Sequence, residues 1–272
     1  TLKSTIDFDA EMGMGDLTAD STLPLSLKAD ARINLAEVKS AMPSVAPMLA
    51  VIPTAKEAIL KTDIAGTAGS IDVSRLLLQV PGLLRVNGDG VIDNPMDFNR
   101  MEGNVTLAGE FASLNSIKKI LPPTLAKTIN IPAMKIRGNV DYRPNLISGD
   151  IAAVTGNGRL AMKGNWNGRA EGYDASLRLT DFPVDAIMPT FGIGSITAGL
   201  DVKGHGYNPM SPKTVVNADL NLADVTYMGQ RYENIKLDMR LSDSKADGTL
   251  TSLNPDANLS ADFNAAISGD TV

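Results

Sequence analysis

The chain has 272 residues, 43% hydrophobic and only 4% aromatic, so it can bury apolar surface and is not a disordered segment. Its formal net charge of −6 leaves no basic field for nucleic acid, and the lack of cysteine excludes disulfides, thiolate metal sites and cysteine nucleophiles. No apolar run reaches the roughly 18 residues of a spanning helix; the best, Val45 to Ile52, is broken by Pro47.

The chain opens at Thr1 with no basic n-region and no apolar h-region, the start expected of an excised fragment. Ile6, Phe8, Ala10 and Met12 then alternate with Asp7, Asp9 and Glu11, the period-two signature of a strand with one dry and one wet face. A longer alternation follows from Leu23 to Leu35, with Pro24 near its start, where an edge or first-residue position tolerates proline. From Ala36 to Met42 the period changes and Pro43 follows, which predicts a short helix. Between Leu60 and Val91 the apolar residues suggest short strands cut by Gly66, Gly69 and Pro81-Gly82, and Asn87-Gly88-Asp89-Gly90 reads as a turn. Val105, Leu107 and Phe111 resume the alternation, and Leu114 to Leu121, closed by Pro122-Pro123, predicts a second short helix.

The second half is more regular. Met134, Ile136, Val140 and Tyr142 alternate with polar neighbours, and Asn157-Gly158 predicts a hairpin into Leu160, Met162 and Trp166. The stretch from Tyr173 to Val202 reads as strand, one or two helical turns bracketed by Pro183 and Pro189, glycine punctuation at Gly192 and Gly194, then strand. That strand–helix–strand unit is expected to recur through the chain. Three further one-sided strands follow around Leu220, Leu237 and Phe263. Together these predict an all-β antiparallel protein with a few short proline-bracketed helices. The proline-ended pieces at Pro43, Pro122 and Pro189 mark weak repeat units, about 1–104, 105–172 and 173–272, of one elongated sheet in which units stack along its length.

Motifs for chemistry are weak. Arg85 to Met96 resembles a calcium loop, but Arg85 and Met96 stand where carboxylates are required. Gly156-Asn157-Gly158-Arg159-Leu160-Ala161 fits a loose dinucleotide pattern without the helix that would receive a pyrophosphate. His205 is the only histidine and lies between two glycines, which suggests a loop and no metal site. Ser195 lacks the second flanking glycine of a nucleophile elbow. Trp166, at the end of an apolar face, reads as packing before ligand stacking. No enzyme mechanism, metal or cofactor is expected.

Asn130-Ile131-Pro132-Ala133-Met134-Lys135-Ile136-Arg137-Gly138 resembles sequences of the TamB/AsmA-like family in Bacteroidota. So do Gly204-His205-Gly206-Tyr207-Asn208-Pro209, Tyr232-Glu233-Asn234-Ile235 and Leu250 to Leu259; the likeness covers most of residues 100–272 and, more loosely, the first hundred. The resemblance implies a long periplasmic protein, anchored in the inner membrane outside this fragment and reaching toward the outer membrane. Its curved sheet would form a taco-like trough with a greasy interior, tied to phospholipid transport and outer-membrane assembly. No anchor helix and no module for an outer-membrane partner can be identified here.

The expected function is therefore a non-enzymatic periplasmic segment of an envelope-bridging lipid conduit. Its candidate acyl-chain face comprises Leu177, Leu179, Leu200, Val202, Leu220, Leu222, Leu237, Met239 and Phe263. Expected partners are phospholipid acyl chains and an outer-membrane assembly protein. The alternatives are a scaffold that holds outer-membrane protein strands by β-augmentation and a carbohydrate-active β-protein.

Overall fold

The computed structural model describes residues 4–13, 23–41, 57–113, 128–130, 132–254 and 257–267. The fold is all-β: fifteen strands form one antiparallel sheet in strict chain order, and the sheet does not close into a barrel. Contacts divide the chain into two compact units, Thr1–Pro144 and Asn145–Val272.

The first unit holds β1 (Thr5–Met12), β2 (Pro24–Asn34), helix α1 (Leu35–Ala41), β3 (Glu57–Thr67) and β4 (Ser70–Val80). It continues with β5 (Leu84–Asp93), β6 (Glu102–Phe111) and β7 (Met134–Arg143). The alternating stretches at Ile6–Met12 and Leu23–Leu35 are β1 and β2, paired without a register shift, and the period change after them is α1. The predicted helix at Leu114–Leu121 lies outside the described residues.

Two expectations are overturned in this unit. Asn87-Gly88-Asp89-Gly90 is not a turn but the middle of β5. The reason is close approach of β6: a Cβ on Gly88 would stand 2.7 Å from Leu107 Cδ2, and one on Gly90 would stand 2.3 Å from the Asn104 carbonyl oxygen. The glycines are holes for neighbouring strands. The strands do break where expected at Gly69 and at Pro81-Gly82, the latter turn closed by Leu83 N–H donating to the Val80 carbonyl. Gly66, by contrast, does not cut a strand but lies inside β3, so Leu60–Val91 forms long strands of 10 or 11 residues rather than short ones.

The second unit holds β8 (Leu146–Thr155), β9 (Gly158–Asn167), β10 (Gly172–Pro183), helix α2 (Val184–Ile187) and β11 (Ile193–His205). It ends with β12 (Val215–Tyr227), β13 (Gln230–Ser242), β14 (Lys245–Asn254) and β15 (Ala257–Ala266). The hairpin expected at Asn157-Gly158 is present, shifted by one residue. Its loop is Gly156-Asn157, and Gly158 opens β9 opposite Thr155. The proline-bracketed helix is also present. Pro183 caps it from the last position of β10, rather than occupying its first turn, and Pro189 begins a 3₁₀ turn, Pro189–Phe191. The strand–helix–strand unit does not recur throughout. Several connections are tight turns instead, such as Ala68-Gly69, Met228-Gly229 and Asp243-Ser244.

Little of the apolar face is deeply buried. The buried apolar residues described are Ala31, Leu35, Ala68, Leu77, Val80, Leu83 and Leu241, and among the described residues no large side chain is fully sealed from solvent. A layer packed over this face would bury its aliphatic residues completely. Among the described residues no such layer exists.

Candidate functional site

Register turns the alternation of the second unit into rows of side chains that cross the strands on one face. One row runs Ile151, Met162, Leu177, Leu200, Leu220, Leu237, Leu250 and Ala261, one residue from each of β8 to β15. The row beside it runs Ala153, Leu160, Leu179, Ala198, Leu222, Ile235, Ser252 and Leu259. On the other side lie Ala175, Val202, Ala218, Met239, Gly248 and Phe263. All nine residues expected to form an apolar face fall in these three rows. Each of the nine is half-buried, screened by its row neighbours and open above.

The rows also contain residues that sequence reading did not nominate. Met162, 43% exposed, and Ile151 extend the central row by two strands, and Leu250 extends it on the far side. Leu160 and Met162 were visible in an alternating strand, but only the register shows that they continue the Leu177 row. Ile151 carried little signal, because Ala152 and Ala153 blur the alternation around it.

One end of this face is aromatic. Trp166 and Tyr173 are opposite each other on β9 and β10, and Tyr173 stacks on Tyr207 with ring centroids 6.3 Å apart and planes 18° from parallel. Trp166 Nε1–H donates to the Tyr207 hydroxyl at 2.5 Å, and the Tyr173 hydroxyl donates to the Gly206 carbonyl at 3.3 Å. Gly204 leaves room for Tyr173, whose ring would stand 3.1 Å from a Cβ there. Partial burial, then the neighbouring Tyr207, hold the Tyr173 phenol above its ordinary range. Trp166 is thus both packed, against the Gly168 backbone, and 38% exposed. Such rings, apolar in body and polar at the tip, suit a boundary between an apolar phase and water.

The opposite face of the same strands is charged. Asp201, Asp219 and Asp238 stand in one row on β11, β12 and β13. Arg178 reaches across Gly199 to Asp201, its Nη2 donating to the two carboxylate oxygens at 2.9 and 2.6 Å. Asp219 has no such cation. A hydrogen bond shared with Asp238, with some desolvation and the charges of Asp238 and Asp201, pushes its carboxyl above the usual range. A shallow open concavity lies over these residues, bounded also by Asn221 and Lys236.

The remaining motifs fall in strands and hairpins. His205 is not in a loop as expected: it is the last residue of β11, exposed and paired with Gly172 and Val215. The chain turns only afterwards, at Gly206, whose φ is +82°. Ser195 lies in β11 opposite Pro183, ten residues along the strand from His205. Arg85 to Asp93 is strand β5 and not a calcium loop, and the Gly156-Asn157-Gly158 pattern is a hairpin. Among the described residues no three His, Asp or Glu side chains are placed to hold a metal ion. No described helix is long and apolar enough to cross a membrane. Compared with known protein families, with curated proteins and with solved structures, the chain matches none.

Proposed function

We propose that the apolar face of the second unit carries phospholipid acyl chains, in a non-enzymatic segment of a periplasmic protein that bridges the two membranes of an envelope and serves outer-membrane biogenesis. The observation that carries this reading is the uncovered row Leu177, Leu200, Leu220 and Leu237, flanked by further aliphatic rows. Strands lie about 4.8 Å apart, so three spacings span about 14 Å. One leaflet contributes about 15 Å of hydrocarbon to a bilayer. One acyl chain laid across the strands therefore matches this four-strand row, and the full eight-strand row offers about twice that length.

The chemistry of the face suits passage rather than capture. Each methylene withdrawn from water contributes roughly 0.8 kcal/mol, and the rows offer no side-chain hydrogen-bonding group between Leu177 and Leu250 to fix a chain at one position. Contacts of that kind are non-directional and permit sliding. The Trp166, Tyr173 and Tyr207 cluster supplies a polar–apolar boundary where a head group would lie. The periplasmic setting rests on the resemblance described above.

The test is organic extraction of protein expressed in a Gram-negative envelope, followed by lipid mass spectrometry. Copurifying phospholipid is expected. Leu220→Glu, Leu237→Glu and Phe263→Glu should each reduce it several-fold, while Asn221→Glu and Lys236→Glu, on the opposite face, should not. Each variant is first checked by thermal melting, since a charge on a dry face can unfold a chain. Folded apolar-face variants that retain full lipid occupancy, or a wild type without lipid, would refute the proposal.

A further inference from the structure

Two neighbouring connections at one end of the second unit gather exposed apolar side chains. Helix α2 and the 3₁₀ turn Pro189–Phe191 join β10 to β11, and Met228-Gly229 joins β12 to β13. The two connections are tied together. Met228 N–H donates to the Gly192 carbonyl at 2.7 Å, and a Cβ on Gly192 would stand 3.3 Å from Met228 Cγ and 3.9 Å from Tyr227 Cε2. Within the first connection Met188 N–H donates to the Val184 carbonyl at 2.7 Å and Phe191 N–H to the Met188 carbonyl at 3.2 Å. On this hydrogen-bonded frame Met188 is 36% exposed, Phe191 56%, Tyr227 44% and Met228 75%.

Charge and continuity say what meets this patch. In a chain that is 21% charged, no charged residue stands between Asp185 and Asp201, nor between Asp224 and Arg231. Both connections therefore enter an apolar phase without a charge to desolvate, and the N–H groups of Met188, Phe191 and Met228 are already bonded within the protein. The flanking groups are mostly acidic, and Arg231 is engaged by Asp224 and Glu233, so nothing draws the patch to an anionic surface. Continuity points the same way. Between the patch and the Leu179 row the register sets Phe182, Ile196, Val225 and Tyr232 abreast, all half-buried. Apolar residues thus continue from the rows to the strand ends.

We propose that this patch is a membrane-docking tip, whose Met188, Phe191, Tyr227 and Met228 enter the interfacial layer of a zwitterionic phospholipid bilayer. Apolar surfaces of this kind settle about 5–10 Å into the boundary between head groups and acyl chains. The Tyr227 ring, apolar in body and polar at its hydroxyl, suits that depth. In its choice of a bilayer as occupant the inference rests on the acyl-chain reading of the neighbouring rows. Its readout is separate, since it concerns contact with a lipid surface and not lipid held by the protein.

The test is flotation of the purified protein with phosphatidylcholine vesicles over a lipid titration. Wild type should float, with an affinity unchanged by added salt. Phe191→Ser and Met228→Asn should each weaken it about tenfold, the scale of returning one large apolar side chain to water. Asparagine suits the φ of +49° at Met228, so that variant decides the matter if Phe191→Ser fails a thermal-melt check. Phe98→Ser, in the first unit, removes a side chain that is 77% exposed but stands beside Asp97, and should leave flotation unchanged. A wild type that does not float would overturn the proposal, as would folded tip variants that float undiminished or an equal loss in Phe98→Ser. So would binding confined to vesicles containing phosphatidylglycerol and lost in salt, or self-association of the wild type that Met228→Asn abolishes. Protein that carries lipid without floating refutes this inference alone, and protein that floats but purifies free of lipid refutes the acyl-chain reading alone.

Discussion

The two units follow the same period-two pattern and build different surfaces from it. In the first unit the apolar rows of β5 to β7 set large residues beside glycine: Gly88 with Leu107, Gly90 with Val105, Val86 with Gly109, Ile92 with Gly103 and Leu107 with Gly138. Phe111 lies down over Gly109 into such a gap, while Leu107, beside Gly88 and Gly138, stays 45% exposed. In the second unit β10 to β13 set Leu177, Leu200, Leu220 and Leu237 in one row with no glycine among them. Those side chains stand side by side, and their upper surface has no partner among the described residues. The two faces differ in how their rows are filled, large residue against glycine in the one and leucine against leucine in the other.

The polar faces differ in parallel. Across β1 to β4 the charges alternate in sign, from Asp9 to Lys28, Asp63 and Arg75, and further on Glu110 pairs with Lys135 at 2.9 Å. Across β11 to β13 three aspartates share a row. Exposed cross-strand pairs contribute roughly 0.2–1 kcal/mol each when opposite in sign, and like charges cost a comparable amount. The alternating row of the first unit gathers small stabilising contributions, where the aspartate row of the second carries small costs beside pairs such as Arg178 with Asp201 and Lys203 with Asp174.

The sharpest way to break the comparison is to fill a hole. In Gly90→Ala the new Cβ would stand 2.3 Å from the Asn104 carbonyl oxygen and 2.9 Å from Val105 Cα, both backbone atoms that move only with β6. The expected loss is about 2–3 kcal/mol, seen as a lower denaturant midpoint. Gly172→Ala, in β10, meets only Ala170 Cβ at 4.0 Å and should change stability by less than about 0.5 kcal/mol. Equal effects at the two sites would mean that the glycines of β5 are not holes.

A smaller effect, of opposite sign, is expected at Thr62. It lies between Ala29 and Leu76 on the apolar face of the first unit, and its hydroxyl is sealed from solvent without a hydrogen-bond partner. Thr62→Val keeps the shape and removes the unsatisfied group, so it should raise stability by about 1 kcal/mol in chemical denaturation. A loss on that substitution would show that the hydroxyl has a partner in solution.

These features divide into what alternation reveals and what only register reveals. The strands around Leu25, Leu220, Leu237 and Phe263 were legible because long aliphatic residues alternate with charged or amide ones, and one residue of alternation fixes the face. All nine candidate apolar residues consequently share a face. β14 was harder to see, since its inward residues Ala246, Gly248, Leu250 and Ser252 are mostly small or polar, and Ala152 and Ala153 obscured β8 in the same way. Asn87 to Gly90 misled because glycine serves turns and close strand approach alike, and the two uses differ only in what the neighbouring strand places opposite. The Asp201, Asp219 and Asp238 row was invisible, its members being separated by 18 and 19 residues of chain.

The next effect is smaller again. Arg178→Ala removes the two charge-assisted bonds to Asp201 and leaves the acidic row without its cation. Both partners are about half exposed, 52% and 49%, so solvent screens the pair. The expected loss is about 0.5 kcal/mol at low salt and less at high salt. An unchanged loss at high salt would point to lost packing of the arginine stem against Gly199 instead.

The smallest effect separates the units by the sign of its pH dependence. Asp219 has its carboxyl raised chiefly by the bond shared with Asp238, so the folded state binds a proton more readily than the unfolded chain does. Its contribution is unfavourable at neutral pH and is relieved as pH falls through the raised value. Glu110 is the reverse: the bond and charge of Lys135 hold it below its ordinary range, so its contribution is present above the unfolded glutamate value and is lost as pH falls through the folded one. Asp219→Asn should therefore raise the melting temperature slightly at pH 7, with the advantage shrinking on acidification, while Glu110→Gln should lower it slightly at pH 7, with the deficit vanishing in acid. Both residues are exposed, and both shifts in melting temperature should fade as salt is added. Melting curves for the two variants between pH 3 and pH 8 decide it. If both variants move the same way at pH 7, the contrast between the paired polar face of the first unit and the like-charged row of the second has no energetic consequence.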